Sequence, residues 1–84
     1  MRLAFLEEAW EDYLYWSQTD KATLKKINQL IKECMREPFC GIGKPEPLKF
    51  DMSGYWSRRI TGEHRLVYRV EGDALVIVQC RHHY

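Results

Sequence analysis

Residues 55–70, with the sequence YWSRRITGEHRLVYRV, decide the fold, because they predict two neighbouring β-strands. We expect the strands over 55–60 and 64–70, joined by a turn at Gly62, a residue that favours turns. In the second strand every other residue is apolar, at Leu66, Tyr68 and Val70. This alternation indicates a strand with one face on the protein core.

The register of this hairpin follows from its apolar residues. Ile60 should share the apolar face, and opposed residues of a hairpin point to the same side of a sheet. Ile60 therefore pairs with an even-numbered residue such as His64, across a loop of residues 61–63. The same register places Arg59 opposite Arg65 on the face away from the core.

Two guanidinium groups side by side repel each other unless an anion lies between them. Together with nearby Lys49, Arg59 and Arg65 would suit a phosphodiester, because guanidinium matches phosphate with paired hydrogen bonds. A solvated surface rich in arginine explains the pattern equally well. The sequence leaves both interpretations open here.

The remaining elements extend outward from the hairpin. A continuous apolar run, 74–78, predicts a last strand over 74–82 that lies inside the sheet. At the other end, 3–6 predicts a short strand, and apolar residues at helical spacing from Glu7 predict a helix. A second amphipathic helix should begin with a cap at Thr19 or Asp20 and end before Pro38. The chain is expected to be α+β: a strand, a helical hairpin, then an antiparallel sheet.

The connection over 41–54 carries three glycines and two prolines, which predicts a loop. Pro45 and Pro47 flank Glu46 and should hold it in an extended conformation. The segment 41–43 (GIG) follows no strand and lacks the rest of a phosphate-loop motif, so it does not predict one.

The C-terminal residues are Arg81-His82-His83-Tyr84. If the last strand continues in register, His82 and His83 point to opposite faces and cannot readily bind one metal ion. One of them is a candidate proton donor, because histidine titrates near neutral pH, although adjacent histidines at a chain end can also lack a role. RNA supplies its own nucleophile, the 2′-OH, so a base, an acid and a cation are enough to cut it without a metal. Glu46, His83 and Arg65 could fill these roles, but such residues also occur in proteins that never cut RNA.

The chain has 84 residues, 45% hydrophobic and 30% charged, which predicts one domain over 1–84 of an ordinary globular protein. No apolar run is long enough for a membrane helix, and the first residues turn acidic too early for a signal peptide, so we expect a cytoplasmic protein. Three cysteines without a CxxC pair predict neither disulfides nor a zinc site. Cys34 and Cys80 lie in apolar patterns and should be buried. The net charge of +1 indicates no particular partner.

Several motifs occur in a fixed order along the chain. They are 43–49 (GKPEPLK), 53–60 (SGYWSRRI), 64–68 (HRLVY) and 83–84 (HY), with Trp10, 12–16 (DYLYW) and 19–21 (TDK) in the opening segment. Together they resemble the YoeB family of toxins, within the RelE/ParE superfamily, over essentially the whole chain. The resemblance implies a microbial-ribonuclease-like fold with a twisted antiparallel sheet.

It also implies a toxin that enters the ribosomal A site and cleaves the mRNA codon there without a metal or another cofactor, which stops translation. By position, Glu46 would be the general base on the 2′-OH and His83 the general acid. Arg65 would stabilise the phosphate in the transition state, and Tyr84 would help to position the nucleotide. The products would be a 2′,3′-cyclic phosphate, or its opened form, and a 5′-hydroxyl.

The same resemblance implies a set of binding residues and partners. Lys49 and Arg59 would assist at the phosphate, and Glu63 would support the cationic cluster. The family partner is a YefM-type antitoxin, whose complex with the toxin represses the operon that encodes both, and family members can form homodimers. Two other functions remain open: a ParE-like toxin that inhibits DNA gyrase on the same fold, and a module that binds RNA or the ribosome without cleaving.

Overall fold

A computed structural model describes residues 1–83 as two helices packed on one five-stranded sheet. The strands are β1 (Arg2–Phe5), β2 (Glu46–Pro47), β3 (Trp56–Arg59), β4 (Arg65–Glu71) and β5 (Ala74–Gln79). The helices are α1 (Glu7–Thr19) and α2 (Lys21–Arg36), and a single 3₁₀ turn spans Phe50–Met52. The strand order across the sheet is β1-β5-β4-β3-β2.

The predicted α+β class is confirmed, but the sheet is mixed and not wholly antiparallel. β1 pairs with β5 in parallel, and the other three pairings are antiparallel. A parallel pair needs a long connection, which both helices and the following hairpins provide here. β5 lies between β1 and β4, inside the sheet as its apolar sequence predicts.

The two helices meet at Asp20, which caps α2. Its carboxylate accepts hydrogen bonds from the backbone N–H of Thr23 (3.1 Å) and from the Thr23 hydroxyl (2.8 Å). These bonds, the hydroxyl one first, lower the pKa of Asp20. α2 ends at Arg36, two residues before Pro38, as the sequence predicts.

The core lies between the helices and one face of the sheet. It consists of Ala9, Trp16, Ile27, Leu30, Ile31, Cys34, Ile60, Leu66, Tyr68, Leu75, Ile77 and Cys80. Both cysteines expected to be buried are in it, as free thiols. Burial raises the pKa of Cys80 to about 12 and also raises that of Cys34.

An arginine that the sequence did not single out is fully buried in this layer. Arg58 points to the core face of β3 and donates to the Tyr68 hydroxyl (3.1 Å). It also donates to three backbone carbonyls of the loop after α2, those of Glu37 (2.6 Å), Cys40 (2.8 Å) and Ile42 (2.8 Å). Its guanidinium therefore fixes that loop to the sheet.

The segment 41–43 belongs to the same structural unit. Gly43 has a φ of +82°, and a Cβ there would come within 2.8 Å of the Leu30 side chain and 3.1 Å of Arg58 Cβ. Its carbonyl accepts a hydrogen bond of 2.7 Å from the backbone N–H of Arg59. Glycine is needed here for close packing against β3.

The predicted hairpin register is confirmed, since Arg59 pairs with Arg65 and the N–H of Ile60 bonds to the carbonyl of His64. The predicted extent of the last strand, 74–82, is wrong, because β5 ends at Gln79.

The physical reason for the early end of β5 is a β-bulge. Val67 pairs with Gln79 but the next residue, Tyr68, pairs with Ile77, so Val78 is an extra residue in β5. The bulge re-aims the chain and turns Cys80 into the core. A β-bulge cannot be predicted from the alternation of apolar residues in the sequence.

Candidate functional site

The face of the sheet opposite the helices brings Glu46 and Arg65 together. Glu46 lies in the two-residue strand β2, opposite Ser57 of β3, in the extended conformation expected between its prolines. Its Oε1 is 3.8 Å from Nη1 of Arg65, which lies two strands away in β4. Glu46 is 54% exposed and the Arg65 side chain only 12% exposed. At this distance the contact is a loose ion pair, so the carboxylate stays accessible.

Arg59 and Arg65 face each other across β3 and β4, as the hairpin register predicts. Arg59 is exposed, and no salt bridge joins its side chain to another residue in 1–83. The Nε of Arg65 is buried and has no hydrogen-bond partner within the part of the chain that the structure describes. A buried donor without an acceptor is unfavourable, so this pair of arginines is suited to an added anion.

The C-terminal segment, residues 80–83, contacts Arg65. The backbone N–H of Arg65 donates to the carbonyl of His82 (3.0 Å), and the N–H of His82 donates to Nδ1 of His64 (2.8 Å). His82 has a φ of +66°, a left-handed conformation outside any strand. The expected alternation of His82 and His83 across a strand is therefore wrong. His83 follows directly in the chain and is exposed.

Helix α1 holds the start of this segment. Trp16 Nε1 donates to the carbonyl of Cys80 (2.8 Å), and the N–H of Cys80 donates to a carboxylate oxygen of Asp12 (3.1 Å). The Arg81 guanidinium lies 3.5 Å from the centre of the Tyr15 ring, a cation–π contact. Burial raises the pKa of Asp12, because burial disfavours its charged form.

No role for these anchors was predicted from the sequence. A signal was present, because Asp12 falls three residues after Ala9 and four before Trp16, on the buried stripe of α1. A carboxylate on such a stripe needs a buried donor. Which donor it finds depends on the tertiary structure.

The remaining predicted site residues are less closely tied to Arg65. Lys49 is exposed and directly precedes the 3₁₀ turn. Glu63 is exposed in the turn between β3 and β4, where its N–H bonds to the Thr61 hydroxyl, and no salt bridge links it to a cation within 1–83. Tyr84 lies outside the described residues.

Residues 1–83 contain neither a cluster of metal-ligating side chains nor a membrane-spanning helix. No group of three or more His, Cys, Asp or Glu side chains there could hold a metal ion. No helix in this range is long and apolar enough to cross a membrane.

Chemically, Glu46 and Arg65 supply a carboxylate and a guanidinium with an unused donor, and the C-terminal segment carries the imidazole of His83. These are the groups needed to deprotonate a hydroxyl, stabilise a pentavalent phosphate and protonate a leaving oxygen.

Comparison with known proteins connects this arrangement to one family. A family model described as "YoeB-like toxin of bacterial type II toxin-antitoxin system" matches residues 5–84. The chain is 63% identical to the toxin YoeB of Escherichia coli K12, over the full length of both. A YoeB/ParE toxin structure from Agrobacterium tumefaciens superimposes with a TM-score of 0.98 at 56% identity, covering both chains fully. YoeB of Staphylococcus aureus, solved as a dimer and in complex with YefM, superimposes with a TM-score of 0.92 in each case, at 48% and 47% identity, over all of this chain and 98% of the other.

Proposed function

This chain belongs to the YoeB-like toxins of bacterial type II toxin-antitoxin systems, and we propose that it is an mRNA endoribonuclease acting on the ribosome. It binds in the ribosomal A site, cleaves the codon there without a metal ion and stops translation. The exposure of Glu46 and His83 supports this proposal, since an open site can accept an RNA strand presented by a larger particle.

The observation that carries the proposal is the position of Arg65. Its guanidinium is 3.8 Å from the carboxylate of Glu46, and its backbone N–H bonds to His82, the residue before His83. The candidate base therefore pairs with the cation, and the candidate acid is the residue that follows His82 in the chain. A protein that only binds would not need the carboxylate, which repels the phosphate that the arginines attract.

The proposed reaction is an in-line transfer at phosphorus. Glu46 takes the proton from the 2′-OH, and the freed oxygen attacks the adjacent phosphate. Arg65 stabilises the added negative charge through Nη1 and its buried, unused Nε. The bond to the 5′-oxygen breaks as His83 donates a proton to it, which leaves a 2′,3′-cyclic phosphate and a 5′-hydroxyl.

Other residues bind the substrate in this proposal. Arg59, across from Arg65, and Lys49 contact neighbouring phosphates, and Tyr84 positions a nucleotide. Glu63 orients the cationic cluster from its turn. The family assignment supports these roles, and for Arg59 so does the cross-strand pairing.

We further propose that the chain acts in the cytoplasm and is neutralised by a YefM-type antitoxin. The S. aureus relative, solved both as a dimer and with YefM, supports an antitoxin complex and a homodimer here. Contact with operator DNA would occur only through the antitoxin complex.

The test is cleavage of mRNA on programmed ribosomes in EDTA, with His83→Ala as the matched variant. We expect the wild type to cut within the A-site codon and His83→Ala to bind ribosomes equally well but cleave about 100-fold more slowly or worse, because an acid acts mainly in the transition state. Intact mRNA with the wild-type protein bound would contradict cleavage. Parallel loss of binding and cleavage in His83→Ala would contradict the general-acid role, and gyrase inhibition without an effect on translation would replace the proposal.

A further inference from the structure

His64 is the side chain that holds the last part of the C-terminal segment. Its Nδ1 accepts the backbone N–H of His82 at 2.8 Å, while the neighbouring Arg65 N–H donates to the carbonyl of His82 at 3.0 Å. The N–H and the carbonyl of His82 are thus bonded to His64 and Arg65, two consecutive residues where β4 begins. His82 is held with a φ of +66°, a conformation that is unfavourable for a residue with a side chain.

The other anchors act earlier in the segment. Asp12 and Trp16 bond to the backbone of Cys80, and Tyr15 contacts Arg81. Within residues 1–83, His64 supplies the one side-chain hydrogen bond to the His82 backbone. His64 and the Arg65 backbone therefore contribute to the position of residue 83, in addition to the contacts that His83 makes itself.

The bond to His82 requires one protonation state of His64. A ring nitrogen that accepts a hydrogen bond carries no proton, so the imidazole is neutral with its proton on Nε2. A second proton on the ring would put an N–H opposite the N–H of His82. That exchange replaces an attraction with a repulsion.

Within residues 1–83, His64 has aromatic and charged neighbours. From α1, the edge of Trp16 packs on the imidazole, with ring centres 4.8 Å apart. From the C-terminal segment, the His82 ring lies at 5.9 Å, and Glu63 and Arg65 flank His64 in the chain. Beyond these, Asp12 interacts electrostatically with His82 and with Arg81.

We propose that His64 is a positioning residue: its neutral imidazole seats His82 and thereby presents His83 to the phosphate held by Arg65. Protonation of His64 releases His82 and withdraws His83 from the site. This inference rests on the proposed ribonuclease function. It predicts a loss of cleavage toward acid pH that arises from His64 and is separate from the proton requirements of Glu46 and His83.

Two substitutions separate the hydrogen bond from the rest of the side chain. His64→Asn keeps an acceptor, because the amide oxygen can take the place of Nδ1, but the amide does not titrate in this range. His64→Leu keeps bulk against Trp16 and removes the acceptor. Melting temperatures of both variants check that each is folded before activity is compared.

The experiment measures single-turnover cleavage on programmed ribosomes from about pH 5.5 to 8.5, a range in which histidine ordinarily changes charge. At the upper end we expect His64→Leu to cleave at least about tenfold more slowly than wild type, with ribosome affinity unchanged, because misplacing a catalytic group mainly slows the chemical step. His64→Asn should keep most of the wild-type rate there, and its rate should fall less than that of the wild type toward acid pH.

A readout without ribosomes separates this inference from the proposed function. The protection of the His82 amide against hydrogen exchange should be high in the wild type at pH 8, decrease as His64 is protonated, and be lost in His64→Leu at every pH. The positioning role would be overturned if both variants kept the wild-type pH profile of cleavage and the wild-type protection of the His82 amide. It would also be overturned if both variants lost cleavage and protection equally. If the wild type fails to cleave any mRNA, the ribonuclease proposal fails, and the exchange data alone then decide whether His64 seats His82.

Discussion

At the residue scale, Arg58 and Arg59 are neighbours that lie on opposite faces of β3. Arg59 is exposed and pairs with Arg65 on the outer face. Arg58 is fully buried and donates to acceptors from other parts of the chain. Those acceptors are loop carbonyls and the hydroxyl of Tyr68, which no local pattern connects with β3. Burial raises the pKa of this hydroxyl to about 12, so it stays protonated and donates to the carbonyl of Pro38.

The same substitution should therefore change the free energy of unfolding by very different amounts at these two neighbouring arginines. Arg58→Met removes donors from three backbone carbonyls and should lower the free energy of unfolding by about 3 kcal/mol or more. Arg59→Met, on the exposed side, should change it by less than about 0.5 kcal/mol. Urea denaturation of both variants measures these differences.

RNA affinity should show the reverse order, because the exposed Arg59 and not the buried Arg58 can contact a phosphate. In Arg59→Met the salt dependence of affinity for single-stranded RNA should weaken by about 0.7 in the slope of log K against log salt, one phosphate contact. Equal stability losses in the two variants would contradict the assignment of the two faces.

At the element scale, the structure differs from the sequence-based expectation at the ends of elements. The helices and the hairpin follow their apolar periodicity. The end of β5 does not, because a bulge at Val78 and the left-handed His82 turn the chain toward α1. The site residues of the C-terminal segment could be named from the family resemblance, whereas their anchors, Asp12, Trp16 and His64, required the fold.

The cap of α2 gives a prediction that depends on pH. The pKa of Asp20 is lowered by hydrogen bonds from Thr23, so its charged form stabilises the fold. A carboxylate with a lowered pKa contributes above the ordinary value of 3.8, and the contribution is lost as the pH falls through the lowered pKa. Asp20→Ala should therefore lower the melting temperature at pH 7, and the difference from wild type should shrink in acid.

Calorimetric melting from pH 7 down to about pH 2.5 measures this difference. Asp51→Ala, an exposed aspartate in the 3₁₀ turn, controls for the loss of one negative charge. A difference for Asp20→Ala that stays constant across the range would show that the charge of the cap is unimportant.

At the scale of the whole molecule, the core and the proposed site lie on opposite faces of one sheet. One face holds the core and both helices, and the other carries Glu46, Arg59 and Arg65. The domain is small, with a radius of gyration of 11.6 Å. The proposed site draws on β2, β4 and the C-terminal segment, which are distant in sequence. The class of fold was predictable from periodicity, but the convergence of these segments depends on the strand order.

The central proposal, cleavage of mRNA through its own 2′-OH, can be tested with an mRNA whose A-site nucleotides lack this hydroxyl. Matched mRNAs, one all-ribose and one with 2′-deoxy nucleotides in that codon, are placed on ribosomes with the wild-type protein in EDTA, and the fragment ends are identified by mass spectrometry. We expect the ribose codon to be cut to a 2′,3′-cyclic phosphate, or its opened form, and a 5′-hydroxyl. We expect the 2′-deoxy codon to stay intact with the protein still bound. Cleavage of the 2′-deoxy codon, or fragments with 5′-phosphate ends, would contradict the proposal.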